Sequence, residues 1–380
     1  MDTTQSILFE PTKIKNMELP NRFVRSATYD GCADKGYVTE KQMNLYTTLA
    51  EGGVGLIITG ITLVHQSGQI SKFQNSICMD NFMPGLKRLT SAVHDRGTRI
   101  AVQLFHAGRE ARFSKSSNRI PIGPSFLEKD SYFKAEYRAM TESEILEVIG
   151  AFGDGAKRAR EAGFDAVQIH GAHAYLLSQF LSPYTNHRDD EWGGELKNRL
   201  RLHHEIIKDI RRKVGEDYPI LIKIGVQDGF PGGLDFIEGK LAAEYLTEFG
   251  SDALEISQGL RGPSEEDKEF RTKINSLDRE AYYRNWCREI KNQVEVPVMM
   301  VGGLRTFKLM EEIIQNKEAD FISLSRPLIM EPSIINDWKR GDGHRAKCIS
   351  CNECFESLLE GKTLECIQLK RQKFLEANER

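Results

Sequence analysis

The sequence carries no excess of positive charge. Its formal net charge is −3 and its pI about 6.4. No basic field is therefore available to hold a nucleic acid or an anionic membrane, and neither is expected as a partner. Long apolar runs are missing too: the longest, Val54–Val64, is broken by glycine and threonine and falls far short of a membrane span. The N-terminus, Met1 to Lys13, has no basic start followed by an apolar stretch, so a secretory signal is not expected and a cytoplasmic location is. Low-complexity tracts, internal repeats and linker-like proline/serine stretches are likewise absent. What remains is ordinary globular material, 40% hydrophobic and 28% charged, with ample substance for a core.

The 380 residues would suit two or three domains, but a barrel with loop insertions covers the same length as one unit. Short β-rich runs alternate with longer helical patterns. The runs are Phe23–Ala27, Val54–Thr59, Arg99–Phe105, Ala166–His170, Ile220–Ile224, Ala253–Ser257, Val298–Val301 and Phe321–Leu324. Helical segments are expected near 40–51, 82–96, 142–162, 196–213, 236–249, 278–293 and 306–317; in one, Glu142, Ile145, Leu146, Ile149 and Phe152 recur at helical spacing. Such alternation predicts parallel β-α units with right-handed crossovers. Fully apolar runs such as Ile220-Leu221-Ile222 fit strands covered on both faces. An open doubly wound sheet and a closed barrel both suit the pattern. Eight strands favour the α/β class with a (β/α)8 TIM barrel over about residues 1–340, followed by a short cysteine-containing extension over 341–380.

Nearly every strand ends in polar residues: Thr59, Gln103, His170, Lys223, Ser257, Gly302-Gly303 and Ser325-Arg326. In a barrel these ends converge on one mouth, where active sites sit. His170-Gly171-Ala172-His173-Ala174-Tyr175 places two imidazoles and a phenol there. The pair would hold a carbonyl or phenolate oxygen, and Tyr175 would give a proton to a carbanion-like carbon. Two structural histidines, or two zinc ligands, fit the hexapeptide equally well. Gly302 and Gly303, with Ser325 and Arg326 at the next strand end, suit a phosphate: glycine lets backbone N–H groups approach an anion, the helix that Thr306 would cap adds its dipole, and arginine supplies a fork. The alternative is a pair of ordinary turns beside a surface arginine. Gln103, on an apolar strand, is costly to bury unpaired and would meet a polar ring edge at the mouth or be satisfied by neighbouring backbone. Lys223 would set positive charge beside a reduced cofactor or close an internal salt bridge. The insertions at 107–140 and 258–277 are expected to shape the pocket.

Over about residues 7–340 the sequence resembles the old yellow enzyme family of FMN-dependent ene-reductases. The resemblance is carried by Leu8-Phe9-Glu10-Pro11, Asn21-Arg22-Phe23, Gln103-Leu104-Phe105-His106-Ala107-Gly108-Arg109 and His170 through Leu177. The longest stretch runs from Phe180-Leu181-Ser182-Pro183 through Asn186, Arg188, Asp190 and Trp192-Gly193-Gly194 to Asn198-Arg199. It implies a barrel with FMN at the mouth, reduced by NADH or NADPH. It also implies that His170 and His173 hold the electron-withdrawing oxygen of an α,β-unsaturated, carbonyl-like small molecule. Tyr175 would protonate its α-carbon while hydride reaches the β-carbon. Gln103, Lys223, Gly303, Ser325 and Arg326 match cofactor contacts of that family, with Ala27, Thr28, Gly60 and Gly302 expected to join them. Three positions depart from the usual pattern: Lys223 stands for arginine, Ser325-Arg326 for Gly-Arg, and Ala27-Thr28-Tyr29 for a strand end bearing cysteine or threonine.

Four of the seven cysteines crowd together as Cys348-x2-Cys351-x2-Cys354-x11-Cys366. In an intracellular chain that spacing suits a [4Fe–4S] cluster, a zinc ion or free thiols. It is similar to the cluster motif of the 2,4-dienoyl-CoA reductase and trimethylamine dehydrogenase branch, in which a cluster relays electrons from FMN to a second centre. With 14 residues after Cys366, such a relay would need a separate partner chain. Cys32, Cys78 and Cys287 read as small apolar residues. Ene-reduction is the leading expectation. Dehydrogenation of an amine or CoA-linked substrate with electrons leaving through a cluster is the alternative. A metal-dependent barrel hydrolase using His170, His173 and His106, or a non-catalytic binding barrel, stands further off. The oligomeric state is not legible.

Overall fold

The computed structural model describes residues 5–113, 119–359 and 362–378. All eight expected strands form: β1 (Phe23–Arg25), β2 (Leu56–Leu63), β3 (Arg99–Phe105), β4 (Ala166–Gly171), β5 (Ile220–Gly225), β6 (Ala253–Ser257), β7 (Val298–Met300) and β8 (Phe321–Leu324). Each pairs in parallel with its sequence neighbours, and β8 pairs with β1 through Ile322–Phe23, Ser323–Val24 and Leu324–Arg25. The sheet is therefore a closed barrel, not an open doubly wound sheet. The principal crossover helices are α1 (Glu40–Glu51), α2 (Met83–His94), α3 (Glu142–Glu161), α4 (Arg201–Val214), α5 (Phe236–Glu248), α6 (Arg284–Lys291) and α7 (Phe307–Gln315), with α8 (Ile334–Lys339) after β8.

Local chemistry explains where helices start. Pro84 lies in the first turn of α2, where its missing N–H costs nothing. Thr141 and Glu144 close a capping box on α3. Ile145, Ile149 and Phe152 of α3 are buried as the spacing predicts, but Leu146 is 55% exposed. The segment 196–213 is not one helix: Leu196–Arg199 and α4 are separate. Arg199 turns inward there, donating to the Leu181 and Gly194 carbonyls at 2.8 Å each and pairing with Glu238. Similarly, 278–293 is α-helical only from Arg284, after a short 3-10 turn at Leu277–Arg279, and Glu280 between them accepts the Thr306 N–H.

The strand pleat divides the barrel interior into two storeys. At the N-terminal end Val24, Leu56, Ile58, Ala101, Ala166, Leu221, Ala253, Met299 and Phe321 form one apolar cluster. Ile14, Met17 and Leu19, from a hairpin of Thr12–Ile14 against Met17–Leu19, belong to the same cluster and seal that end. One pleat further on, the inward positions turn polar: Ser26, Gln103, Gln168, Lys223, Glu255 and Ser323. Burying these groups is tolerable only where they pair with each other or with a ligand. Beyond α8 the chain returns across this polar end, with Ala346 N–H donating to the Arg305 carbonyl at 3.0 Å and Leu364 N–H to the Asp30 carbonyl at 2.9 Å. Among the described residues no helix is long and apolar enough to cross a membrane.

Candidate active site

A cavity of about 660 Å³ opens at the C-terminal ends of the strands, within the size range of small-molecule and cofactor sites. Gln103, His170, His173, Tyr175, Lys223, Gly302, Gly303, Ser325, Arg326, Ala27 and Thr28 all line it. Side chains far apart in sequence thus meet at one mouth. Gly60 is not part of the lining. It sits where β2 shifts register between Ile58 and Ile61, donates its N–H to the Tyr46 hydroxyl at 2.8 Å, and lies so close under the Thr28 carbonyl that a Cβ would approach to 2.8 Å.

The floor is a connected polar network set by strand register. Lys223 and Glu255 are direct partners across β5 and β6, and Gln103 and Gln168 across β3 and β4. Gln103 Nε2 donates to Gln168 Oε1 at 2.7 Å, and Gln168 Nε2 to Glu255 Oε2 at 2.9 Å. Ser26 donates to Glu255 Oε1 at 2.6 Å and accepts from Lys223 Nζ at 2.9 Å. Lys223 Nζ lies 3.4 Å from Glu255 Oε2, with side chains 4% and 0% exposed. The lysine thus lines the cavity and closes an internal salt bridge at once. Gln103 is satisfied by a side chain, not by neighbouring backbone.

The end of β4 and the turn after it carry His170, His173 and Tyr175, the turn in an unusual backbone. His173 and Ala174 hold φ of 60° and 64°, a left-handed conformation that costs non-glycine residues of order 1–3 kcal/mol each. Two bonds to the loop after β6 retain it: His173 N–H to the Gln258 carbonyl at 3.0 Å and Ala174 N–H to the Gly259 carbonyl at 3.2 Å. His170 Nδ1 accepts the Ala172 N–H at 3.3 Å, which leaves the hydrogen on Nε2 and fixes a donor tautomer. His173 Nε2 meets Ser257 Oγ at 2.7 Å. The His170 ring lies 5.0 Å from both the His173 and Tyr175 rings, nearly perpendicular to each. Burial, reinforced by Lys223, pulls both imidazoles well below their ordinary pKa, so they are neutral near pH 7. Burial pushes the Tyr175 phenol up, with Arg261 opposing; the hydroxyl keeps its proton. His106, the other histidine near a strand end, is not in the lining; its Nε2 meets Ser67 Oγ at 2.8 Å.

At the opposite end of the cavity the two glycines after β7 hold φ of 122° and 76°, which only glycine adopts freely. Arg326 Nη1 is braced by the Arg271 carbonyl at 2.8 Å and Asn352 Oδ1 at 2.5 Å. Ser325 Oγ meets Thr28 Oγ1 at 2.8 Å. Ser323 Oγ, also in the lining, is buried without a partner. The expected contribution of the α7 N-terminus is corrected. Thr306 makes no side-chain cap, and Glu280 accepts the Arg305 and Thr306 N–H groups at 2.8 Å each. Glu280, its side chain fully buried and also paired with Arg345, thus occupies the approach to that helix, while Gly302, Gly303, Ser325 and Arg326 line the cavity.

Ser257, expected at a strand end, does line the mouth; sequence reasoning missed Ser26, Gln168, Glu255, Arg261, Glu269 and Glu280. Glu255 and Gln168 carried the signal used for Lys223 and Gln103, a polar residue inside an apolar strand. The loop residues carried none. The four clustered cysteines form no disulfide and border one small pocket, and Cys354 also borders the main cavity. Burial, then the neighbouring thiols, pushes Cys354 up to about 11. Among the described residues no group of three or more His, Cys, Asp or Glu is placed to hold a metal ion.

A (β/α)8 barrel thus gathers two glycines, a serine and an arginine from its last two strand ends, a polar floor and a His–Tyr pair around one cavity. Residues 7–342 match the NADH:flavin oxidoreductase / NADH oxidase family, and the chain belongs to that family. It is 35% identical over 352 residues to an NADH oxidase of Thermoanaerobacter brockii, covering 91% of this chain and 52% of that protein. Among solved structures, a 2-naphthoyl-CoA reductase in complex with 2-naphthoyl-CoA superposes with a TM-score of 0.87 at 25% identity, over 95% of this chain and 56% of the other. An old yellow enzyme homologue from Zymomonas mobilis superposes with a TM-score of 0.73 at 26% identity, over 88% and 92%. The chain therefore spans about half the length of the longer relatives and nearly all of the shorter one.

Proposed function

We propose that the protein reduces the activated carbon–carbon double bond of an α,β-unsaturated carbonyl-like small molecule, with NADH or NADPH as the source of electrons. The observation that carries this reading is the neutral donor imidazole of His170 beside the protonated phenol of Tyr175, 5.0 Å apart over one cavity. The donor set fits FMN: Gly302, Gly303, Ser325 and Arg326 suit its phosphate, and Gln103, Lys223 and the unpartnered Ser323 hydroxyl suit a polar ring system. When bound, FMN supplies hydride to the β-carbon, having drawn two electrons from the nicotinamide.

The chain's own groups do the rest. His170 Nε2–H donates to the carbonyl oxygen and stabilises the negative charge that grows there. His173, held by Ser257, supports the same end of the substrate. Tyr175 Oη transfers its proton to the α-carbon, completing addition of one hydride and one proton across the double bond. Solvent then returns a proton to the tyrosinate. Tyr175→Phe should leave FMN content and reduction by nicotinamide intact and slow reoxidation by 2-cyclohexen-1-one about 10²–10⁴-fold. Unchanged reoxidation would end Tyr175's role as acid.

A second reading is favoured by one observation: Cys354 borders both the thiol pocket and the main cavity. Cys348, Cys351, Cys354 and Cys366 would then hold an iron–sulfur cluster, whose chemistry is one-electron exchange, and the substrate would be an amine or CoA-linked compound oxidised at the same mouth. The electron donor separates the readings. Rapid bleaching of bound flavin by NADH or NADPH supports reduction of an alkene. Bleaching by an amine or CoA-linked substrate alone, with iron and sulfide bound, supports the second.

A further inference from the structure

We propose that Arg261, in the loop after β6, is a positioning residue for Tyr175: clamped by Glu269, its guanidinium fixes the phenol and stabilises the phenolate left when the proton departs. The inference rests on Tyr175 being the proton donor. Arg261 Nε donates to both Glu269 oxygens, at 2.7 and 3.0 Å, and its Cζ lies 5.6 Å from the Tyr175 ring centroid. All three side chains line the cavity, with Glu269 only 9% exposed. From the other side Phe105 packs edge-on against the phenol at 4.6 Å and His170 at 5.0 Å. The ring is thereby held on three sides by β3, the end of β4 and the β6 loop.

The need for such a cation follows from the surroundings. A phenol gives up its proton readily only if the anion it leaves is stabilised, and burial does the reverse. Glu110 and Glu269, both in the lining, add negative charge near the ring, and His170 is neutral. Arg261 is the cation that acts on the phenol. Burial opposes its own charge, but Glu269, Tyr175 and Glu110 outweigh that and hold the guanidinium above its ordinary pKa, so it stays charged. In the step itself the Tyr175 O–H bond breaks, the proton goes to the α-carbon, and its electron pair stays on Oη beside the guanidinium until solvent reprotonates it. The hydride's electrons come from the nicotinamide.

The test uses FMN-loaded Arg261→Gln, Arg261→Lys, Tyr175→Phe and the Arg261→Gln/Tyr175→Phe double variant, reduced by NADPH or NADH and reoxidised by 2-cyclohexen-1-one between pH 6 and 10 in stopped flow. Arg261→Gln is expected to slow reoxidation about 10- to 100-fold. Its alkaline limb should move to higher pH, because loss of the cation raises the phenol's pKa further, while reduction by nicotinamide stays native. Arg261→Lys should recover part of the rate, and the double variant should be no slower than Tyr175→Phe. A native rate in Arg261→Gln alongside a slow Tyr175→Phe overturns the inference alone. So does a double variant slower than Tyr175→Phe by the full factor of Arg261→Gln, or an unmoved alkaline limb. A native rate in Tyr175→Phe overturns both this inference and the reading of the site on which it rests.

Discussion

Replacing Glu255 by glutamine would convert a satisfied buried network into one with a stranded charge. In the native barrel each Glu255 oxygen has a donor, Ser26 at 2.6 Å on one and Gln168 at 2.9 Å on the other, with Lys223 3.4 Å away. An amide in that place keeps one acceptor and turns an NH2 group toward donors, while Lys223, 4% exposed, loses its counter-charge. Removing one partner of a buried pair costs about 3–5 kcal/mol. At about 2.1 cal/mol/K per residue the unfolding entropy of a chain this long is roughly 0.8 kcal/mol/K, so the midpoint should fall by about 4–6 °C. Calorimetry of the apoprotein, paired with urea unfolding, measures this. Lys223→Met should cost a similar amount alone, and Glu255→Leu/Lys223→Met should recover most of the loss, because a neutral pair has no charge to strand. A Glu255→Gln protein within 1 kcal/mol of native, or a double variant as unstable as the sum of the two singles, would refute the argument.

Arg326→Ala should weaken FMN retention by about 10- to 150-fold, the worth of one charge-assisted bond of about 1.5–3 kcal/mol, read as the dissociation constant from flavin fluorescence; native affinity would remove the arginine from the phosphate site. Acid should destabilise the fold through its buried imidazoles. Burial lowers His106 and His203 to about 3 and His170 and His173 well below their ordinary value. Below pH ~6.5 the unfolded chain binds protons that the folded chain refuses, at up to about 1.4 kcal/mol per pH unit for each histidine. Their stabilisation is thus complete above pH ~6.5 and shrinks as pH falls. Asp228, raised by burial to about 6, works in the opposite sense between about pH 6 and 4 and offsets one of the four. Urea midpoints that stay flat from about pH 8 to 4.5 would contradict this account. His203 is buried with neither ring nitrogen bonded, so His203→Leu should raise stability by about 1 kcal/mol and shallow the acid limb; a loss of stability would show that the imidazole has a partner in solution.

Much of this was legible in the residues themselves. A parallel strand buried on both faces advertises itself by composition, so all eight were found, and polar residues at their C-terminal ends pointed to the mouth where Gln103, His170, His173, Tyr175 and Lys223 meet. Whether Lys223 served a cofactor or a salt bridge was a question of register: only the pairing of β5 with β6 sets Glu255 opposite it. Loops defeated the reading for a different reason. Arg261 and Glu269 sit in the 258–277 insertion and Glu280 in a stretch expected to be helical that precedes α6, and their partners depend on backbone paths that composition does not encode. Glu280 is the clearest case, because a carboxylate from before α6 took the helix end that a phosphate was expected to share. The N-terminus before residue 5 and part of the 107–140 insertion, residues 114–118, lie outside the described residues.

The wall contributed by Cys354, Phe355, Leu358 and Leu364 is separate from the ring it covers. Every barrel strand precedes these residues in the chain, so the eight-stranded ring can close during synthesis while its mouth still stands open on that flank. The segment that docks through Ala346 and Leu364 shuts that flank, so one side of the cavity is owed to a stretch of chain that has no share in the ring.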